Sequence, residues 1–304
     1  VAPVIGARTG PGAYSGQMRD DAAVPADLHA DLHAGVHAGV HAGVARRAVA
    51  AALEVARANF GRTLDVEVKG PRGDVVTEVD REAERIIVDT LHKRFPGHTI
   101  EAEESGTLYA GSDHVWLVDP LDGTNNYAYG LPVYGAAVTL CHRGEPVVAA
   151  IGEAHTGDIA CAVRGRGVTV NGRPFERAVP PRAGLPATAL WVGYQTQGDD
   201  HLGVLTALLN ERSRRLFSTW APTADVFLYL RGGLDAITVY QCTGTELLGS
   251  LLILREAGAE VTGADGRPVR HLADLPELSF AGSRAVTLPL VDALTPAGSP
   301  AGAP

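Results

Sequence analysis

Apolar residues recur at helical spacing over residues 45–60 (ARRAVAAALEVARANF), and Gly61 stops the run. A second helix is expected over 80–95. Asp80 is placed to cap it, acidic residues fill its first turn, and Pro96-Gly97 ends it. Then the period shortens. Residues 114–118, 133–141 and 147–152 are β-rich runs separated by Gly and Pro turns. Val168 to Val170 run into Asn171-Gly172, which reads as a hairpin turn. Residues 200–210 and 222–232 read as helices, 234–240 as a strand, 246–258 as a helix and 278–282 as a short strand. The pattern by itself supports mixed α and β and no particular topology.

The two ends read differently. Residues 1–27 are rich in Gly, Ala and Pro without a period. Then HADLHAGVHAGVHAGV places His29, His33, His37 and His41 four apart. On a helix these imidazoles form one stripe, and an i, i+4 pair of them is suited to a transition metal. Against a helix stand Gly35, Gly39 and Gly43, each costing about 1 kcal/mol relative to Ala. Residues 1–44 therefore read as a low-complexity, flexible extension, and 286–304 as a flexible tail.

Composition narrows the classes. A chain of 304 residues has room for one large domain or two small ones. Its net charge of −9 argues against a nucleic-acid partner. Cys141, Cys161 and Cys242 form no zinc spacing and no disulfide framework, so a reducing cytoplasm is expected. The sequence has no apolar run long enough for a membrane span, and its start lacks a basic segment followed by an apolar one.

The chemistry concentrates in residues 116–126, WLVDPLDGTNN. A hydrophobic strand, Trp116 to Val118, delivers Asp119. Pro120 turns the chain, and Asp122 follows. Gly123-Thr124 then reads as a helix start, whose backbone N–H groups suit an anion. Two carboxylates three apart can grip hard cations from one side. The competing reading is a strand–turn–helix whose aspartates only cap the helix.

The run resembles the DPxDGTxN signature of the inositol monophosphatase family of magnesium-dependent, lithium-sensitive phosphatases. Other blocks follow in order: KGPRGDVVTEVD from Lys69 to Asp80, the EES of 103–105, RGRGVTVNG at 164–172, GGLDA at 232–236 and EAG at 256–258. The resemblance covers roughly residues 45–285. It implies an α+β fold, the layered α-β-α-β-α sandwich of the inositol monophosphatase/fructose-1,6-bisphosphatase type. An α+β metal-binding half would span 45–178, and a smaller α/β half, 179–285, would complete the site.

The resemblance also implies roles. Glu103 becomes a metal ligand with Glu104 supporting it. Asp119 bridges two magnesium ions, the Leu121 carbonyl completes the first site, and Asp122 serves the second. Asp80 and Thr124 hydrogen-bond to each other and orient or deprotonate the attacking water; Gly123 and Thr124 bind phosphate. Lys69 and Asp74 flank a loop that carries Gly70, Pro71 and Gly73, is expected to be mobile, and contributes to a third, weak magnesium site. Thr77 reads as structural. Two to three Mg2+ ions per site and a homodimer follow from the resemblance.

The departures are as informative. Where the family has the Asp of a W-D pair, this chain has Thr245-Glu246, so Glu246 becomes the ligand candidate. Val239 stands where inositol-processing members carry a hydroxyl-binding Glu, and Trp220-Ala221 replace a Gly-Ser corner. Trp191 and Tyr194 are further candidates to line the pocket, and each aromatic reads also as core. The expected activity is Mg-dependent release of phosphate from a small phosphorylated metabolite, a nucleotide or a modified sugar or cyclitol phosphate. The alternative is a family fold with altered or absent catalysis, binding a phosphate ligand in a regulatory role. A third is a histidine-tract metal chaperone.

Overall fold

The computed structural model describes residues 26–69, 74–178, 184–193, 199–242 and 247–294. The chain divides into two units, residues 1–36 and 37–304. The described part of the first is the opening of helix α1 (Ala26–Asn59). All else belongs to the second.

In the second unit a small antiparallel hairpin, β1 (Val66–Lys69) and β2 (Asp74–Thr77), leads into α2 (Glu78–Arg94). An eight-stranded sheet follows, built from β3 (Thr99–Ala102), β4 (Gly106–Leu108), β5 (His114–Asp122), β6 (Gly135–His142), β7 (Glu145–Glu153), β8 (Ile159–Val163), β9 (Val168–Val170) and β10 (Arg173–Phe175). Its order is β10-β9-β8-β7-β6-β5-β3-β4, antiparallel except where β3 meets β5. A short helix, α3 (Thr124–Ala128), joins β5 to β6.

The second sheet has five strands: β11 (Ala187–Val192), β12 (Arg215–Phe217), β13 (Ala236–Tyr240), β14 (Glu260–Gly263) and β15 (Leu278–Gly282), in the order β12-β11-β13-β15-β14. Its helices are α4 (Asp200–Arg212), α5 (Pro222–Leu230), α6 (Leu248–Glu256) and α7 (Arg284–Leu294).

Three apolar cores lie among five layers, the middle one on both sides of α5 and α6. Val49, Leu53, Ile87 and Leu91 of α1 and α2 cover one face of the large sheet, over Trp116, Val118 and Leu140. Val226, Phe227, Leu251 and Leu252 of α5 and α6 fill the space between the sheets, against Ile151 and Ile237. Leu205, Leu209 and Leu290 of α4 and α7 close the far face of the small sheet. Helix α1 lies so close to β7 that a Cβ on Gly152 would stand 2.5 Å from Leu53 Cδ1. Burial on this scale is what holds such helices, more than their propensity.

Several boundaries differ from the pattern. Helix α1 begins at Ala26, so the segment read as a flexible extension to residue 44 is helical in its second part. The repeat sets Val40 and Val44 four apart on one face, and both pack on the core, which outweighs the cost of Gly39 and Gly43. The expected tail is helical through Leu294, because Leu290 and Val291 are buried. Asp80 does not cap α2. Thr77 does, with Asp80 at the third helical position closing a capping box. Pro120 does not end β5. The strand runs on to Asp122, and Pro120 sits in the register shift between Asp119 and Asp122, where the ladder is already interrupted.

Candidate functional site

The shift in β5 aims the strand end. Asp119 and Asp122 both pair in register with β6, at Ala137 and Gly135, with Pro120 and Leu121 bulging between them. Gly123 then takes φ 85° and turns the chain into α3. A side chain would not fit there: a Cβ would lie 2.9 Å from the Val133 carbonyl and 3.1 Å from Ala221 Cβ.

Each carboxylate at this end is already engaged. Asp119 Oδ1 accepts the Leu121 N–H at 3.1 Å. Asp122 is buried, and its Oδ2 accepts the Thr223 N–H at 2.7 Å and the Thr223 hydroxyl. Thr223 lies in the first turn of α5, where unpaired N–H groups favour an anion.

Asp80 reaches the same turn from α2. Its Oδ2 accepts the Thr77 N–H at 2.8 Å and the Thr77 hydroxyl. The Thr124 hydroxyl lies 2.9 Å from Asp80 Oδ1 and 2.8 Å from the Leu121 carbonyl. One hydroxyl hydrogen serves one of these acceptors at a time. Asp80 is 1% exposed, and burial raises its pKa against the pull of the two threonines. Accepting from both threonines, Asp80 fixes where the Thr124 hydroxyl points.

Glu103 and Glu104 follow β3, and the Glu103 N–H binds the Val118 carbonyl at 3.2 Å. The Lys69 ammonium, at the end of β1, pairs closely with Glu104 and lies 3.5 Å from Glu103. Burial raises the pKa of Glu104 while Lys69 opposes the rise. Glu84 of α2 fixes this loop from below, accepting the Glu104 N–H at 2.7 Å and the Ser105 hydroxyl. Asp74 faces Lys69 across the hairpin register. Gly70 to Gly73 lie outside the described residues.

The donor set here is all oxygen, which is the chemistry of hard cations. Among the described residues, however, no three His, Cys, Asp or Glu side chains gather closely enough to hold a metal ion. Glu103, Asp119 and Asp122 are each engaged with other groups. Glu103 is drawn toward Lys69 and Asp122 toward α5, each already paired with another positive or N–H group. Glu246 lies outside the described residues, as does Tyr194.

The expected pocket aromatics separate into two kinds. Trp191 is buried on β11, its indole N–H on Asp225 Oδ2 at 2.9 Å, and Val239 is buried on β13. Both belong to the core between the sheets, so neither lines a surface. Trp220 is 56% exposed.

Three further residues shape the site. Thr223 and Glu84 hold its carboxylate and its loop. Asp225 is fully buried near Asp122, with no hydrogen-bond partner for Oδ1 among the described residues. Burial pushes its pKa up to about 7, and the Asp122 charge adds to the rise. Nothing local in the sequence marks Thr223 or Asp225, because their partners are distant in the chain. Burial also pushes the Cys141 thiol up to about 12 and Cys161 to about 11, which makes both poor nucleophiles.

The later sequence blocks serve the frame. Glu256 of EAG accepts the Gly165 and Gly167 N–H groups of the RGRG turn, both at 2.8 Å. Asp235 of GGLDA accepts the Ala187 N–H at 2.8 Å, joining β11 to the turn before β13.

The chain matches the inositol monophosphatase family over residues 41–288. An inositol-1-monophosphatase of Mesorhizobium japonicum is 33% identical over 230 residues, which is 72% of this chain and 84% of that one. A Pseudomonas aeruginosa protein named Nus factor SuhB is 29% identical over 233 residues, 73% of this chain and 84% of its own. Among solved structures, the extragenic suppressor protein suhB of Bartonella henselae aligns with TM-score 0.73 and 25% identity, over 84% of this chain and 98% of that one.

Proposed function

Because the chain belongs to the inositol monophosphatase family of phosphoric monoester hydrolases, we propose that it is a magnesium-dependent phosphomonoesterase acting on a small phosphorylated metabolite. The observation that carries this reading is the Thr124 hydroxyl, set between Asp80 Oδ1 and the Leu121 carbonyl beside Asp119 and Asp122. Glu103, Asp119, the Leu121 carbonyl, Asp122 and Glu246 are the groups that would hold two to three Mg2+ ions. Lys69 and Asp74 flank the weakest of these sites. Bound divalent cations supply charge neutralisation and a lowered pKa for water.

The chain's own residues do the rest. Thr124 orients the attacking water, and Asp80 behind it takes or holds the proton. The backbone N–H groups of Gly123 and Thr124, at the turn into α3, would face the phosphate oxygens. Thr223 keeps Asp122 from rotating. Homodimer formation, a cytoplasmic location and inhibition by lithium belong to the same reading.

The test is phosphate release from inositol 1-phosphate and from nucleoside monophosphates, with magnesium titrated and lithium added. Magnesium-dependent release supports the reading; no release from any phosphomonoester at any magnesium concentration overturns it. A second reading, a phosphate-binding regulatory protein, draws on the pairing of Glu103 with Lys69 and of Asp122 with Thr223 and on the relative named Nus factor SuhB. Phosphate binding without turnover would favour it.

A further inference from the structure

Of the three tryptophans, Trp116 and Trp191 are 0% and 4% exposed, and Trp220 is 56% exposed. Trp220 also sits at φ 55°, a region that bulky residues rarely enter. Such strain persists where the surroundings over-determine it.

They do so here, and through the reaction turn itself. On one side of Trp220, the Thr219 carbonyl accepts Asn126 Nδ2 of α3 at 2.7 Å. On the other, Ala221 Cβ lies 3.1 Å from where a Cβ of Gly123 would stand, and Thr223 holds Asp122. The backbone on both sides is thus fastened to the segment 122–126, and the indole is left in water. Asn126 also binds the Val133 carbonyl at 2.9 Å and accepts the Leu131 N–H through its own carbonyl at 2.8 Å. That second segment carries Tyr129, 79% exposed, and Leu131, 50% exposed. Two strips of exposed apolar side chains are therefore stitched to one asparagine beside the phosphate turn.

We propose that Trp220 is the specificity-determining wall of this site, its indole stacking on a planar ring carried by the phosphomonoester. This rests on the phosphomonoesterase reading. The flanking residues are Thr219, Ala221 and Pro222, which offer no charged group to a ring of hydroxyls. A polyol leaves polar groups to be satisfied, whereas an indole face offers area and a π-surface. The substrate class that fits is a nucleoside monophosphate.

The experiment uses the full chain with magnesium and two probes, adenosine 5′-monophosphate and inositol 1-phosphate. Trp220→Gly removes the ring and relaxes the positive φ; Trp220→Phe keeps an aromatic face. The expected result is a KM for adenosine 5′-monophosphate raised about tenfold by Trp220→Gly and restored by Trp220→Phe, as for loss of one base–aromatic stack. Its kcat, and both constants for inositol 1-phosphate, should change little. Equal effects on the two probes, or none, overturn the proposal.

Binding is read separately from turnover. Trp220 is the exposed indole, so the nucleotide should quench iodide-accessible emission and inositol 1-phosphate should not. If that quench appears without phosphate release, the wall stands and the phosphatase reading falls. If release occurs without the quench, the reverse holds. An indole shielded from iodide in the free protein, in a dimer that Trp220→Gly dissociates, assigns the ring to a contact between copies and overturns the proposal.

Discussion

Thr223 gives both its backbone N–H, at 2.7 Å, and its hydroxyl to one carboxylate oxygen of Asp122, a residue 101 positions earlier. This clamp joins the end of β5 to the first turn of α5. It sits against Gly135, where an added Cβ would stand 2.3 Å from Thr223 Oγ1. The orientation of Asp122 thus depends on α5 and β6 together.

Thr223→Val keeps the N–H and removes the hydroxyl. The buried carboxylate then loses one of the donors that Thr223 gives it, at a cost of about 1–3 kcal/mol. Denaturant melts should show that loss of stability. Phosphate release should fall as well, with a higher magnesium concentration at half-maximal rate. An unchanged magnesium titration would show that the clamp serves stability alone.

Asp119→Asn should abolish turnover while leaving the fold intact, since one oxygen still accepts the Leu121 N–H. Losing a charge that stabilises the reacting centre costs about a hundredfold or more. Phosphate release and circular dichroism, measured together, check this. A variant retaining more than about a tenth of the rate would remove Asp119 from the metal-binding role.

Glu246→Gln separates a ligand from a bystander. As a ligand, Glu246 lost should raise the magnesium requirement and lower the rate. As a helix-capping acid, its loss should leave the titration unchanged and cost at most about 1 kcal/mol. A magnesium titration beside a melting curve decides between them.

The histidines predict a pH dependence far from the reaction turn. His98, His114 and His142 stand side by side on neighbouring chain segments, with ring centroids 4.8 and 4.4 Å apart, and His41 of α1 packs on His98 at 5.5 Å. Burial first, and then the neighbouring imidazole, lower the pKa of His98 and His114 from 6.5. Asp113, itself paired with Arg143, opposes the shift at His114. With folded values below unfolded ones, the stabilisation is fully present above about pH 6.5 and is lost as pH falls through the lower folded values. Melting temperature should therefore drop on acidification below that point. His114→Phe keeps a flat ring in the stack, removes a charge, and should make the drop shallower. An equal drop in both proteins would locate the acid sensitivity elsewhere.

The sequence alone determined what local chemistry determines. The strand–Asp119–Asp122–Gly123 run reads without a structure, because a β-rich run, two closely spaced carboxylates and a side-chain-free turn follow one another, although Pro120, read as a turn, proved to sit in a bulge of the strand. The Asn171-Gly172 hairpin is equally local: both residues take positive φ, 51° and 77°, which Asn and Gly tolerate best. Helix boundaries were less legible. The histidine repeat reads as a flexible extension until Val40 and Val44 find a core to cover, and α7 looks like a tail until Leu290 is buried. Only the tertiary structure decided which candidates share a site. Trp191, Trp220 and Val239 are similar apolar candidates in the sequence, yet two pack between sheets and one faces water. Thr223 and Asp225 carry no signal in their own neighbourhood. Their roles come from packing α5 against β5 and β6, and burial and long-range pairing are properties of the assembled layers rather than of any segment.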